Sequence, residues 1–268
     1  FPSALFLQFV VGDGSLSGDE TSVKRAVSVL REMAAGGIYD QVAGGFHRYS
    51  VDAQWQVPHF EKMLYNQGSL AESYLEAGRI TSDESLLQIG RATLDAMLSQ
   101  FQLQDGSFAG SWDADSGGVE GSYYVWTPEQ VKETVAPESV ELVCDHFGIE
   151  EEGNFEGGEA SVPRIAMSLA TAAKKHGLSV EEAQKRLDQA VSKMLKVRDT
   201  RVAPKRDDKV VLGWNALAIS GLARGATILD ESRFREAAVR AYGALKGSLV
   251  EEERFLRRRD RHVSEKGE

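Results

Sequence analysis

Residues 210–229 read VVLGWNALAISGLARGATIL, and their pattern decides the fold. From Val210 to Ala223 apolar side chains fall on nearly every side, the mark of a helix buried all round. Residues 179–198, SVEEAQKRLDQAVSKMLKVR, behave differently. They carry one apolar stripe and a charged back, with Ser179 as the expected cap and Glu182 as its capping-box partner. Buried and surface helices joined as antiparallel pairs predict concentric layers: an all-α fold of helical hairpins, an (α/α) toroid or solenoid. No fixed repeat period runs through the chain, which argues against a short-repeat solenoid.

Working outward, apolar residues recur at helical spacing over 21–35, and Gly36 stops that helix. Pro58, tolerated at a first helical position, predicts a helix through LYNQGSLAESYLEAG to about Gly78. Residues 83–101 form the next, with Asp83 as cap. Residues 103–126, LQDGSFAGSWDADSGGVEGSYYVW, mix glycine and turn signals with aromatics and read as a short β excursion. Thr127-Pro128-Glu129 restarts a helix, 137–147 is helical, 148–164 is loop and 231–250 is the last clear helix. The basic run Arg254–Arg261 is expected to be a solvated helix face.

A length of 268 residues allows one large domain or two small ones. A net charge of −10 argues against nucleic acid or an anionic membrane as partner. Cys144 stands alone, so there is no internal disulfide, no CxxC pair and no cysteine-based zinc site. The opening FPSALFLQFVV lacks a basic flank or cleavage signal and is too short to span a bilayer. No N-x-Ser/Thr sequon occurs, and the expectation is a piece of a longer cytoplasmic protein.

The chemistry concentrates in residues 36–66, GGIYDQVAGGFHRYSVDAQWQVPHFEKMLYN. Two glycine pairs break any helix crossing it, and aromatics alternate with ionisable groups. This stretch is expected to line a pocket. In a helix opened by Pro58, His59 and Glu61 would lie in the first turn, where free N–H groups favour anions. A general acid or base there, beside aromatic walls, suits sugar or carbonyl chemistry; the structural alternative is a packed His59 and a local Glu61 ion pair. His47, Arg48 and Tyr49 either bind an anion or ring, or hold the loop as an aromatic–cation cluster.

Asp113 and Asp115 form a second candidate pair, able to divide acid and base roles. The alternatives are a turn-forming cluster or calcium, though Gly117 and Tyr124 break the EF-hand pattern. Asn215 in an apolar helix is either a pocket residue or a satisfied buried polar group. His146, His176 and His262 lack such company and read as structural or exposed. No three residues have metal-ligand spacing and no phosphate-cradling loop precedes a helix, so neither metal nor cofactor is expected.

The stretch 36–66, SWDADSGGVEGSYYVWTPEQV, FGIEEEGNFEG and PKRDDKVVLGWNALAISGLA resemble four successive motifs of a thioredoxin-domain-containing family that includes the spermatogenesis-associated protein 20 group and its bacterial relatives. The resemblance spans roughly Phe1 to Leu222. It implies an (α/α)6 toroid similar to N-acylglucosamine 2-epimerases and six-hairpin glycosidases, here a partial toroid over 1–268. The expectation is a stretch without the family's N-terminal thioredoxin-like domain and later hairpins. The family's usual Leu-Tyr-Asp-Asn reads Leu64-Tyr65-Asn66-Gln67 here, and its Ser-Trp-Asn-Gly-Leu reads Gly213-Trp214-Asn215-Ala216-Leu217. Any acid or base role of that aspartate has no counterpart at Asn66. The resemblance implies that the four motifs converge at one mouth of the barrel.

Two functions follow as expectations. The first is a carbohydrate-acting enzyme domain, epimerase/isomerase-like or glycosidase-like, with His59, Glu61, Asp113 and Asp115 as catalytic groups. Its substrate, a small molecule such as a sugar, would meet His47, Arg48, Tyr49, Trp55, Tyr65, Trp112, Trp126, Asp208, Trp214 and Asn215. The alternative is a non-catalytic ligand- or protein-binding scaffold partnering a thioredoxin-like domain. An incomplete toroid leaves inner helices uncovered, so self-association through the open edge is also expected.

Overall fold

The computed structural model describes residues 1–155, 158–251 and 254–259. Among the described residues the α-helices are α1 (Ala4–Ser17), α2 (Glu20–Ala35), α3 (Leu64–Thr81), α4 (Glu84–Phe101), α5 (Pro128–Thr134), α6 (Val140–Phe147), α7 (Leu169–Lys175), α8 (Val180–Arg198), α9 (Leu212–Ile228) and α10 (Ser232–Leu249). Between them lie two-residue strands: β1 (Tyr49–Ser50), β2 (Pro58–His59), β3 (Lys62–Met63), β4 (Ser111–Trp112), β5 (Asp115–Ser116), β6 (Val119–Glu120), β7 (Arg206–Asp207), β8 (Val210–Val211), β9 (Val250–Glu251), β10 (Arg254–Phe255) and β11 (Arg258–Arg259). The class is the expected one: all-α helical hairpins of a partial (α/α) toroid with small β excursions. No described helix is long and apolar enough to cross a membrane.

The chain divides into two compact units. One holds Pro2–Val27, Lys62–Asp113 and the described part of the chain from Arg206 onward. At its centre α3 packs against α1, α4 and α9. Leu64, Leu75, Leu94, Phe101, Phe108 and Phe234 are almost fully buried there, each contributing about 1.5–3 kcal/mol by leaving water. The helix buried all round is α3, not α9. Gly213, Ala216, Ser220, Ala223 and Arg224 of α9 are exposed, while Asn215, Ala218, Gly221, Leu222 and Gly225 are buried. Glycine and alanine gave α9 its apolar look but carry little surface to bury.

In α3 the polar residues concealed the burial, because each is satisfied locally. Gln67 donates to the Met63 carbonyl at 3.1 Å, Ser73 donates to the Ala4 and Ser69 carbonyls, and Glu76 pairs with Arg79 and Arg224. The α3–α9 contact depends on two glycines. A Cβ on Gly68 would stand 2.5 Å from the Leu217 carbonyl oxygen, and one on Gly221 would stand 2.7 Å from that of Gly68. Strands β3, β4 and β7 form an antiparallel sheet, with Lys62 opposite Trp112 and Ser111 opposite Asp207. The basic run is not a helix face: β10 pairs with β9, and β11 pairs with β8. Residues 260 and 261 of that run, and His262, lie outside the described residues.

The other unit holds Phe1, Ser28–Glu61 and Ala114–Lys205. Helices α5, α6, α7 and α8 enclose Trp126, Leu142, Val143, Phe147, Leu187 and Met194. Thr127 caps α5, and Gln130 closes a capping box with it. Ser179 caps α8, but Glu182 turns to Arg186 at 2.9 Å instead of closing a box. Arg198 at the end of α8 makes a buried ion pair with Asp40, its Nη1 meeting both carboxylate oxygens at 2.8 and 3.0 Å, beneath the rings of Tyr123 and Tyr124. Burial, the largest effect, and the neighbouring Asp40 push the Tyr124 hydroxyl well above its ordinary pKa.

No helix starts at Pro58. The chain runs extended there, since proline also suits the first residue of a strand and keeps its predecessor extended. Asp52 settles the choice. Its carboxylate accepts the backbone N–H groups of Gln54, Gln56 and Val57 and the Ser50 hydroxyl, closing the β1–β2 hairpin. The glycine pairs serve the same region. A Cβ on Gly36 would stand 2.3 Å from the Trp55 carbonyl oxygen, and one on Gly37 would stand 2.1 Å from that of Gln56. Gly44 and Gly45 have φ of 72° and 79°, which only glycine adopts without strain.

Gly37→Ala is therefore expected to cost about 2–3 kcal/mol in denaturant unfolding through overpacking against fixed backbone. Burial works against the Asp52 charge, but its donors outweigh burial and hold the carboxyl below its ordinary pKa. The stabilisation is thus complete above an ordinary aspartate value of about 3.9 and is lost as pH falls through the lower folded value. Asp52→Asn is expected to cost about 1–3 kcal/mol at neutral pH and to flatten that part of the acid limb in pH-dependent melts.

Candidate functional site

The β1–β2 register sets Tyr49 directly opposite His59. Their rings stack, with centroids 4.9 Å apart and planes 23° apart, as a cross-strand aromatic pair does. Just beyond β2 the Arg48 N–H donates to the Glu61 carbonyl at 2.8 Å, carrying the pairing on to Glu61. This places the Glu61 carboxylate beside both neighbours. Its Oε2 lies 2.6 Å from Arg48 Nη1 and 3.1 Å from His59 Nε2.

The other ring nitrogen meets a residue that the sequence reading did not select. His59 Nδ1 lies 2.7 Å from Glu120 Oε1, which also accepts the Phe60 N–H at 3.2 Å. Glu120 arrives on the β5–β6 hairpin, whose two-residue turn is Gly117-Gly118 with φ of 62° and 85°. Successive positive φ values are what such a turn demands. The next residue, Gly121, lets the hairpin close on the β2 edge, since a Cβ there would meet the Phe60 ring at 2.5 Å. The available signal was the double glycine: a GG turn places the residue two beyond it, Glu120, across from Asp115.

The result is a line of three groups, Glu120–His59–Glu61, with Arg48 bracing one end and Tyr49 covering the ring. The side chains are about a quarter exposed at His59 and Glu61 and somewhat more at Arg48 and Glu120, so the line opens to solvent. An imidazolium donates to both carboxylates, whereas the neutral ring donates to one and leaves a lone pair facing the other. Glu61 Oε1 has no protein partner among the described residues. A ligand at that oxygen would exchange protons with a carboxylate backed by an imidazole and a second carboxylate, the arrangement of a proton relay.

The remaining candidates fall elsewhere. His47 is a packing residue, 2% exposed, with Nδ1 3.0 Å from the Phe60 carbonyl and its ring edge-on to Phe60 and Tyr124. Trp126 is fully buried beneath the Arg201 guanidinium and presents no stacking wall. Trp55 sits at the tip of the β1–β2 loop with φ of 61°. Asp113 and Asp115 are both exposed, and the second faces Glu120 across the β5–β6 register.

In the other unit Trp112 donates to the Gln100 carbonyl at 3.1 Å beneath the Arg206 guanidinium, and Arg206 is paired with Asp208. Tyr65 and Trp214 meet edge to face. Asn215 is the satisfied buried amide: its Oδ1 accepts the Phe108 N–H at 2.8 Å, and its Nδ2 donates to the Phe108 and Val211 carbonyls. In the unit that holds the relay, His146 bonds the Met167 carbonyl and His176 bonds Asp145. Burial pushes the Cys144 thiol up to about 11, which leaves it protonated and unreactive at neutral pH. Among the described residues no group of three potential ligands is placed to hold a metal ion.

Comparison with known proteins agrees with the motif reading. The chain is similar to human spermatogenesis-associated protein 20, at 33% identity over 94% of this chain and 35% of that protein. The mouse protein is 34% identical over 83% of this chain and 32% of its own length. An uncharacterized protein of Caenorhabditis elegans is 29% identical over 96% of this chain and 39% of its own. The chain thus spans about a third of the length of the curated relatives it matches. No protein-family model matches. Among solved structures, a sugar epimerase from a ruminal bacterium covers 96% of this chain and 78% of its own, at 13% identity and a TM-score of 0.36. The cellobiose 2-epimerase of Spirochaeta thermophila covers 95% and 76%, at 12% identity and 0.38. Likeness at that level says nothing about chemistry.

Removing Glu120 tests the relay directly. Glu120→Ala is expected to strip the hydrogen-bonded signature from His59 Nδ1 in imidazole 15N NMR and to cost about 1–3 kcal/mol. Glu120→Gln, which keeps an acceptor, is expected to preserve most of both.

Proposed function

We propose that this chain, which belongs to the spermatogenesis-associated protein 20 family, carries an acid–base site for a carbohydrate in the line Glu120–His59–Glu61. The observation that supports the reading is the pairing of both His59 nitrogens with carboxylates while Glu61 Oε1 is left for a ligand. Glu61 acts as the base or acid that meets the substrate. His59 accepts or returns the proton behind it, and Glu120 fixes the ring and balances its charge. Arg48 holds the Glu61 oxygen nearest His59 in place, and Tyr49 fixes the imidazole by stacking on it.

Within carbohydrate chemistry this geometry favours isomerisation over hydrolysis. Glycosidases set two carboxyl groups on either side of the scissile bond with the sugar between them. Here an imidazole fills the space between Glu61 and Glu120, so the two act on one proton rather than on two faces of a bond. The fitting reaction is removal and return of a proton on the carbon next to the carbonyl of an open-chain sugar. In heavy water, a substrate aldose or ketose is then expected to acquire deuterium at that carbon. Glu61→Gln and His59→Ala are each expected to slow the exchange by about 10²–10⁴-fold. Exchange unchanged in both variants, or absent for every neutral sugar tried on the full-length protein, overturns the reading.

A second reading, association through an apolar face, rests on α1. Leu5, Phe6, Phe9 and Leu16 are 62–93% exposed along that helix, more apolar surface than one soluble helix ordinarily shows. We infer that copies of the chain associate through it. Phe6→Glu with Phe9→Glu is expected to shift sedimentation toward monomer at high concentration; a wild-type chain that is already monomeric refutes it.

A further inference from the structure

We propose that a cleft at the far end of the β1–β2 hairpin binds a singly charged, hydroxylated organic anion through Arg164, Gln54 and Gln56. The cleft has a volume of about 440 Å³ and lies between the end of α2, the loop 53–56 and the segment Arg164–Ile165. That volume suits a molecule of about sugar size. It stands apart from the His59 relay and does not rest on the acid–base reading.

Arg164 is the reason to expect an anion. Among the described residues its guanidinium has no carboxylate partner, and its Nε is buried without an acceptor. The terminal nitrogens of a guanidinium match a carboxylate in two parallel hydrogen bonds. The neighbouring carbonyls at the end of α2 are already claimed: Gln41 Nε2 donates to those of Ala34 and Gly36 at 2.9 and 3.0 Å. Arg164 is therefore not a helix cap.

The backbone around it is fixed before any ligand arrives. The Arg164 N–H donates to the Phe147 carbonyl at 3.0 Å, and the Ile165 N–H donates to the Ala35 carbonyl at 2.7 Å. Gly148, at φ of 60°, lies behind the side chain; a Cβ there would crowd that of Ala166 at 2.8 Å and touch the guanidinium carbon at 3.5 Å.

The opposite wall is equally prepared. The backbone N–H groups of Gln54 and Gln56 are bound by Asp52, while their side-chain amides make no protein hydrogen bond among the described residues. Trp55 between them is held at φ of 61° with its carbonyl accepting the Ile38 N–H at 3.1 Å. A bulky residue in that region is strained and stays there only when its surroundings impose it. Two carboxamides offer donors and acceptors that match hydroxyl groups. Glu32 on the rim sets the charge: one guanidinium facing one rim carboxylate favours a single negative charge over a dianion.

The test is calorimetric titration of the full chain at low ionic strength with D-gluconate, and with sorbitol as its neutral counterpart. Gluconate is expected to bind at least about tenfold more tightly than sorbitol, with Arg164→Gln removing that difference. Glu32→Gln, on an exposed helix position, is expected to tighten gluconate about threefold by relieving repulsion. His59→Ala is expected to leave it unchanged. Equal affinity for sorbitol, no binding of gluconate, or full binding in folded Arg164→Gln overturns the proposal. Should Arg164→Gln fail to fold, Glu32→Gln and the Gln54→Ala, Gln56→Ala pair decide: gluconate affinity unchanged in both also overturns it.

Discussion

The Asp52 carboxylate, tied to three backbone N–H groups and a hydroxyl, is the constraint from which the chemistry of the unit holding Ser28–Glu61 follows. It shuts the β1–β2 hairpin into one register, and a strand register cannot slip by one residue without turning every side chain to the other face. With that register fixed, Tyr49 covers His59, Arg48 reaches Glu61, and the loop carrying Gln54 and Gln56 faces Arg164. The glycines at 36 and 37 are the complement of the same constraint. They let the end of α2 approach a loop that cannot move away, because its donors are already spent on Asp52.

Much of this was legible in the chain. The helix ends marked by Asp83, Thr127 and Ser179 are local chemistry, and each side chain accepts the backbone bond that its type predicts. The crowding of aromatic and ionisable groups in 36–66 was legible too, and Arg48, Tyr49, His59 and Glu61, which meet in the structure, lie within it. Failures came where a local signal had two meanings. Pro58 opens helices and also begins strands, and the decision was made by a carboxylate six residues upstream. The run after Val210 counted as apolar through alanine and glycine, while α3 hid its burial behind polar residues that bond backbone carbonyls and arginines.

Glu120 was not legible because its role is non-local. Nothing adjacent to it in sequence marks it as a partner of His59, sixty-one residues away. Only the glycine turn before it hints at how it is presented. Trp126 and Asn215 erred in the other direction: an aromatic and an amide within apolar surroundings look like ligand contacts, yet Trp126 is sealed into packing and Asn215 is completed by three hydrogen bonds within the protein.

Site and anchor should therefore rise and fall together, and hydrogen exchange at single amides measures this most directly. Val57 N–H is bound by Asp52, and Phe60 N–H is bound by Glu120 beside His59. In Asp52→Asn the account requires protection to drop at both amides, because release of the hairpin end withdraws His59 and Phe60 from Glu120. If Val57 loses protection while Phe60 keeps its wild-type rate, the relay is held independently of Asp52 and the account is wrong at its centre.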